Sequence, residues 1–232
     1  MIEIVSQSFI LCCMELYHAL NRGVEKRTLF LDDQDRARFV HDLYEFNDRS
    51  PSNNDRRLAS MIEIRSQSLG GRAPIVDIHG WCLMGNHYHL LLSERAPNGV
   101  SLFLRKLNVG YAMYFNQKYD RDGTLFQGRT KKIRITSDAH FLHILHYIHL
   151  NPLDFLKDAQ EWRNLQIKNA LVAMKYLAGY RWSSYLDYCN TKNFPSLISR
   201  GLFDDVFKNY RRTIASYLKD LQLSEVKPFL LE

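Results

Sequence analysis

The chain has 232 residues, 46% of them hydrophobic and 24% charged, a composition that is typical of a soluble globular protein and excludes general disorder. This length suffices for one domain with a sizeable core and a small additional region. The net charge of +6 at pH 7 is a modest excess, so its meaning depends on where the basic residues lie.

The basic residues are concentrated in one stretch. Residues 101–134 contain eight Lys and Arg against two Asp, a local excess as large as that of the whole chain. A solvated surface is the ordinary explanation of such a run, and a binding face for a polyanion is the alternative. The choice between them depends on whether a catalytic motif lies nearby.

The four cysteines are Cys12, Cys13, Cys82 and Cys189. They have no CxxC spacing, so neither a disulfide framework nor a zinc knuckle is indicated, and a reducing cytoplasm is the expected location. The apolar run FILCCM near the start is too short for a membrane span and lacks the pattern of a signal peptide. We therefore expect no membrane partner.

The first predicted elements are a strand and a helix. Residues 9–23 form an apolar run that ends in turn formers and predict a buried strand. Residues 31–47 space their apolar side chains at helical intervals after two capping candidates, Asp32 and Asp33. Residues 48–74 are rich in Pro, Asn, Ser and Gly and predict a loop insertion. The nonapeptide at 61–69 resembles that at 1–9, a repeat without a structural explanation.

A hairpin follows, with strands at 75–84 and 87–94 joined by a turn at Gly85 and Asn86. Because side chains alternate along a strand, His87 and His89 are predicted on one face, with their Cβ atoms roughly 7 Å apart. Two imidazoles at that spacing can share a metal ion. Two polar residues at the edge of a sheet are the ordinary alternative.

Residues 101–119 predict a helix with Ser101 as its N-cap. The alternating segment at 124–135 predicts a strand with outward Arg and Lys side chains. If this strand joins the histidine-bearing sheet, its basic residues provide a groove for a phosphate backbone.

Residues 137–155 predict a helix capped by Ser137 or Asp138 and closed at Asn151. Tyr147 and Asn151 are four residues apart, so they lie about 40° from each other at the border of the apolar face. If this helix packs on the histidine-bearing sheet, a hydroxyl nucleophile and an amide oxygen meet the two histidines. A tyrosine at such a border is otherwise an amphipathic core residue.

The order strand, helix, strand, strand, helix, strand, helix predicts an α+β fold, a mainly antiparallel sheet with helices on one face and a ferredoxin-like core. Residues 1–155 would form this core, with the insertion at 48–74. Residues 156–232, with helical patterns at 159–177 and 203–221, would add a helical extension packed on the core.

Five motifs occur in the order found in the REP-associated tyrosine transposases, a branch of the single-tyrosine HUH transposases. They are YHALNRG (17–23), NHYHLLL (86–92), GTLFQGR (123–129), YIHLNP (147–152) and YRWSSY (180–185). Together they cover roughly residues 15–190, and the sequence resembles this family over that range.

The resemblance implies a site and a reaction. His87, His89 and Asn151 would be ligands of Mg²⁺ or Mn²⁺, and Tyr147 would be the nucleophile. The substrate would be single-stranded DNA with a hairpin or palindromic element, cut through a 5′-phosphotyrosine intermediate. The residues expected to contact DNA are Arg22, Arg105, Lys106, Arg129, Lys131 and Lys132. Whether the protein acts as a monomer or a homodimer stays open.

Two other functions compete with this one. A DNA-binding protein derived from a transposase would keep the basic groove and no longer cut. A histidine-metal hydrolase would use His87 and His89 with a histidine from residues 140–149, and Tyr147 would then be structural.

Overall fold

The computed structural model describes residues 15–49 and 72–223, and its framework is a four-stranded antiparallel sheet. The strands are β1 (Leu16–Arg22), β2 (Val76–Leu83), β3 (His87–Glu94) and β4 (Lys131–Arg134). Their order in the sheet is β2-β3-β1-β4, and every neighbouring pair is antiparallel. The predicted α+β class with a mainly antiparallel sheet is confirmed.

Seven α-helices lie in the described residues. They are α1 (Asp33–Glu45), α2 (Gly99–Lys118), α3 (Asp138–Leu150), α4 (Ala170–Gly179), α5 (Tyr185–Tyr188), α6 (Gly201–Asp204) and α7 (Tyr210–Leu223). Short 3₁₀ turns at Asn151–Phe155 and Gln160–Asn164 connect α3 to α4.

Helices cover both faces of the sheet, rather than one face as predicted. Leu90 and Leu92 of β3 pack in one core cluster with α1 and α2, whereas Leu91 between them packs in a second cluster with α3 and the later helices. The reason is visible in β3, whose apolar side chains alternate to both sides, so each face needs a covering layer.

Two of the predicted helix starts are confirmed and one is wrong. Asp32 and Ser137 cap α1 and α3 by accepting bonds from backbone amides three residues later. Ser101 does not cap α2, which begins at Gly99 after Asn98 in a left-handed conformation. The carboxylate of Glu94 accepts the amide of Val100 at 3.2 Å, so this helix end is satisfied from the neighbouring strand.

The predicted strand at 124–135 is largely wrong, because only its last part, Lys131–Arg134, pairs as β4. Gly128, with φ near +69°, turns the chain before that point. The helical pattern at 159–177 is also interrupted. Leu165 has φ near 60°, and the helix α4 starts only after it.

Several predictions lie outside the described residues, namely the repeat at 1–9 and 61–69 and the part of the loop insertion at 50–71. The division into a core and a C-terminal extension at residue 155 stays a prediction. Within the described ranges, none of the helices combines the length and apolar character needed to span a membrane.

Helix α3 lies close to the sheet because β2 has a glycine beneath it. A Cβ atom on Gly80 would come within 2.9 Å of Cδ1 of Leu145, a fully buried side chain of α3. Glycine at this position leaves room for the end of the Leu145 side chain, which would have to shift for any larger residue. The backbone of α3 is therefore held at a short distance above the strands that carry the histidines.

The interior on the α3 side contains several buried imidazoles. The hydroxyl of Tyr210 lies between His146 and His149 of α3, 3.4 Å from His146 Nδ1 and 2.8 Å from His149 Nδ1. Burial lowers the pKa of His146 to about 3 and lowers that of His149 well below its ordinary value. Both rings are therefore neutral at pH 7.

These buried histidines predict a fold that weakens on mild acidification. An unfolded histidine binds its proton near pH 6.5, whereas folded His146 binds it only near 3, so the unfolded chain takes up more protons as the pH falls. The free energy of unfolding, measured by urea denaturation, should be greatest above pH 6.5 and decrease toward pH 4. His146→Gln should make this decrease shallower, and an unchanged slope would contradict the assignment.

Candidate active site

The two histidines of β3 lie on the face of the sheet that α3 covers. His89 is buried and His87, at the start of the strand, is half-buried, and their ring centroids are 5.0 Å apart. The alternation of side chains along a strand fixes this common direction. His87 Nδ1 is 2.7 Å from Oδ1 of Asn86 in the preceding turn, which orients the first ring.

A third histidine, His18 of β1, joins this pair. Its Nε2 is 2.9 Å from Nδ1 of His89, and the two rings stack with centroids 5.1 Å apart. His18 was not predicted as a site residue, because it reaches the site through the register of β1 on β3, in which it lies opposite Leu91. The one indication in the sequence was that His18 belongs to the motif YHALNRG at 17–23.

His18 and His89 are both neutral imidazoles, and each has one ring nitrogen that takes no part in the bond between them. Burial lowers the pKa of His18 to about 3 and lowers that of His89 well below its ordinary value. Within the described residues, His18 Nδ1 and His89 Nε2 are buried and have no hydrogen-bond partner. If His89 Nδ1 donates its proton to His18, His89 Nε2 keeps a lone pair that no protein group in the described residues uses.

Tyr147 of α3 packs against these two rings. Its ring centroid is 5.8 Å from those of His18 and His89, in edge-on contact with both. The residue is half-buried, and its hydroxyl accepts a hydrogen bond from Nη1 of Arg163 at 3.0 Å. The packing of α3 on the sheet therefore brings a phenolic oxygen into the neighbourhood of the histidines.

Asn151 lies one turn after Tyr147 and is fully buried. Its amide nitrogen donates to the carbonyl oxygen of Tyr147 at 2.8 Å and so closes the end of α3. Its Oδ1 accepts from Nη2 of Arg163 at 2.7 Å. One lone pair of that oxygen is thus used within the protein, and a carbonyl oxygen has a second.

Arg163 was not singled out from the sequence, because it lies in a stretch without a recognised motif. It sits on the 3₁₀ turn after α3 and contacts Tyr147, Asn151 and the carboxylate of Asp154, the last at 2.8 Å. Its guanidinium carbon is 4.5 Å from the ring centroid of Trp162. Only the folding of the chain after α3 back onto the helix end makes this residue part of the site.

The donor groups of the site limit how a divalent ion could be held. Within residues 15–49 and 72–223 no group of three or more His, Cys, Asp or Glu side chains is arranged to hold a metal ion. The pair His87 and His89 fits a metal ion, because His89 offers a buried nitrogen that no protein group in the described residues satisfies. A third protein ligand would have to come from outside the His, Cys, Asp and Glu side chains, and Asn151, which shares Arg163 as a partner with Tyr147, offers an amide oxygen.

The other histidines of α3 do not reach this site. His149 Nε2 is bonded to Oγ of Ser184 at 2.7 Å, and His146 faces Phe207 and Tyr210. His149 and Tyr147 thus contact different parts of the core, because two residues apart on a helix they lie about 160° from each other. A hydrolase that used a histidine of α3 could not use these two.

The predicted DNA-binding residues are divided between the two faces of the sheet. Residues that lie opposite each other in an antiparallel pair share a face, and Arg22 lies opposite His87 while Lys131 lies opposite Leu20. Both are therefore on the histidine face. Lys132 is on the other face, where its ammonium donates to Oγ of Ser101 at 2.6 Å.

The remaining three basic residues lie elsewhere. Arg105 and Lys106 line a groove of about 560 Å³ between α1 and α2, on the face opposite the histidines. Arg129 is exposed in the turn before β4. The run of positive charge in residues 101–134 is thus a single feature of the sequence but forms no single surface in the fold.

The bonds of Asn151 predict a measurable contribution to stability. Asn151→Ala removes the cap of α3 and leaves one donor of Arg163 unmatched, which should lower the free energy of unfolding by about 1–3 kcal/mol. Urea denaturation in EDTA measures this without any metal contribution. The matched control is Asn164→Ala, since that exposed amide bonds only to Glu161, and equal stability of the two variants would contradict the prediction.

Comparison with protein-family models finds no match, and comparison with curated proteins finds none. Among solved structures the chain is similar to one described as "Structure of the REP associates tyrosine transposase bound to a REP hairpin". The alignment has 13% sequence identity and a TM-score of 0.46, and covers 82% of this chain and 88% of that chain.

Proposed function

We propose that the protein is a metal-dependent endonuclease and strand transferase for single-stranded DNA, with Tyr147 as the nucleophile. The observation that carries the proposal is the contact of the Tyr147 ring with His18 and His89, which unites a phenolic oxygen and a pair of neutral imidazoles in one site. The motif resemblance assigns the same tyrosine and His87 and His89 to catalysis, and it supplies the DNA substrate with a hairpin.

A tyrosine needs help to attack a phosphodiester, because its ordinary pKa is near 10 and the phosphate is negatively charged. His87, His89 and Asn151 are the residues that would hold Mg²⁺ or Mn²⁺, and the chemistry such an ion supplies is charge neutralisation at the scissile phosphate. The buried rings exclude water from the inner side of the site, so the phosphate has to enter from the half-exposed side of Tyr147.

The reaction of the chain's own residue is a transesterification. The Tyr147 oxygen forms a bond to phosphorus, the bond from phosphorus to the 3′-oxygen of the neighbouring nucleotide breaks, and that oxygen leaves as a 3′-hydroxyl. Tyr147 loses its phenolic proton and the leaving 3′-oxygen gains one, so the number of protons does not change. Because the phosphotyrosine keeps the ester, a 3′-hydroxyl of another strand can reverse the step and join the DNA.

Two competing functions are distinguished by the same experiment. A protein that binds DNA without cutting would give complexes but no covalent product. A histidine-metal hydrolase would cut without the tyrosine. His140 is the candidate on α3, since its proximity helps to lower the pKa of His18, whereas the ring of His143 packs against Tyr217.

Substitution of the nucleophile gives the direct test. Incubation of wild type with labelled hairpin DNA and Mn²⁺ should give a covalent protein-DNA band on a denaturing gel, and EDTA should abolish it. Tyr147→Phe should reduce the band to background because the attacking oxygen is absent. Tyr176→Phe, a half-buried tyrosine of α4, is the matched control and should cut normally. Cleavage that persists in Tyr147→Phe would exclude the proposal.

The register of β4 predicts which lysine contacts DNA. Lys131→Glu places a negative charge on the histidine face and should weaken binding to every DNA sequence. The slope of the logarithm of the binding constant against the logarithm of the salt concentration should decrease by about one. Lys132→Glu, on the opposite face, should change both much less. Fluorescence anisotropy at several salt concentrations measures both quantities. A larger effect at Lys132 would place the DNA on the α2 side.

A further inference from the structure

Arg163 is a cation hydrogen-bonded to the proposed nucleophile, and it also bonds to the proposed ligand Asn151. Nη1 donates to the Tyr147 hydroxyl at 3.0 Å, and Nη2 donates to Asn151 Oδ1 at 2.7 Å and to Asp154 Oδ2 at 2.8 Å. A guanidinium forms such directed bonds in a fixed plane, so its position specifies where the tyrosine oxygen lies.

A rigid platform holds this guanidinium. Trp162 is buried, its indole nitrogen donates to Asp154 Oδ1 at 2.7 Å, and its ring lies 4.5 Å beneath the guanidinium carbon. Asp154 therefore binds both the arginine and the ring that supports it. The platform leaves the other edge of the guanidinium facing Tyr147, whose ring centroid is 5.2 Å from the same carbon.

Arg163 keeps its charge in this position. Burial lowers the pKa of Arg163, but the bonds to Asp154 and Tyr147 raise it by more, so the net pKa lies above the ordinary value. Its side chain retains 32% exposure, and the site therefore stays open to a phosphate that approaches from solvent. Asp154 shares that exposure, so its carboxylate offsets part of the charge without covering the group.

We propose that Arg163 is a catalytic residue, whose guanidinium holds the Tyr147 oxygen for attack and then binds the phosphoryl oxygens that become attached to it. The inference rests on the proposed function of Tyr147. As the phenolic oxygen bonds to phosphorus, negative charge builds on the non-bridging oxygens within reach of Nη1. Arginine is suited to this task because its planar donors match phosphate geometry.

A structural arginine would account for only part of these contacts. An ion pair with Asp154 and packing on Trp162 would anchor the 3₁₀ turn to the end of α3 without any bond to the tyrosine oxygen. The bond to Tyr147 adds little to stability at a half-exposed position. Its directed geometry therefore points to a role in the reaction of that oxygen.

The test measures single-turnover cleavage of hairpin DNA at saturating concentration with Mn²⁺. Arg163→Ala should cleave about 100- to 1,000-fold more slowly than wild type, with DNA affinity changed by less than about threefold. Arg163→Lys should recover part of the lost cleavage rate, because lysine restores the positive charge but not the planar pair of guanidinium donors. Added methylguanidinium should accelerate Arg163→Ala in a saturable manner and leave wild type unaffected.

The matched control is Arg181→Ala, which removes a guanidinium that packs 5.0 Å from the ring of Trp182 and has no bond to the tyrosine. It should cleave at the rate of wild type and should not respond to methylguanidinium. Thermal unfolding of each variant reports whether the turn still folds.

Two results would overturn the inference. One is cleavage by Arg163→Ala within about threefold of wild type while Tyr147→Phe is inactive. The other is a loss that neither Arg163→Lys nor methylguanidinium restores and that accompanies a lower unfolding temperature, which assigns a structural role. Covalent product formed by Tyr147→Phe would instead refute the proposed function, and the role of Arg163 with it.

Discussion

The packing of α3 on the histidine face of the sheet is the constraint on which the rest of the site depends. The apolar stripe of the helix lies against Leu91 and Cys82, and Gly80 removes the side chain that would otherwise hold the helix away. Tyr147 lies at the border of this stripe, so the burial that fixes the helix also directs its ring toward the histidines. A larger residue at position 80 would force the end of the Leu145 side chain to move within this interface.

The polar groups in this interior are arranged to avoid buried charge. His18 and His89 share a single hydrogen bond and remain neutral, which is also the form in which an imidazole binds a metal ion. The cation of the site, Arg163, is placed at the half-exposed side and paired with Asp154. The inner wall of the site is therefore formed by neutral rings, whereas the charge of Arg163 lies in an ion pair at the half-exposed side.

The sequence predicted the residues that short-range geometry controls. His87 and His89 share a face because a strand repeats every two residues, and Tyr147 and Asn151 share one because a helix returns after four. His18 was not predicted because its position depends on the register of β1 on β3. Arg163 was not predicted because it reaches the site only when the chain folds back through a 3₁₀ turn. The basic residues of the strand expected at 124–135 were predicted beside the histidines if that strand joined their sheet. Its last part does join the sheet, but neighbouring lysines of β4 point to opposite faces, so Lys131 lies on the histidine face and Lys132 does not.

The account depends most directly on the identity of the atom that becomes linked to DNA. Wild-type protein incubated with hairpin DNA and Mn²⁺ would be digested with protease and nuclease, and its peptides identified by mass spectrometry. The account predicts a 5′-phosphorylated nucleotide on Tyr147 in the peptide that contains the end of α3. A nucleotide on any other residue, or cut DNA without a linked peptide, would contradict it.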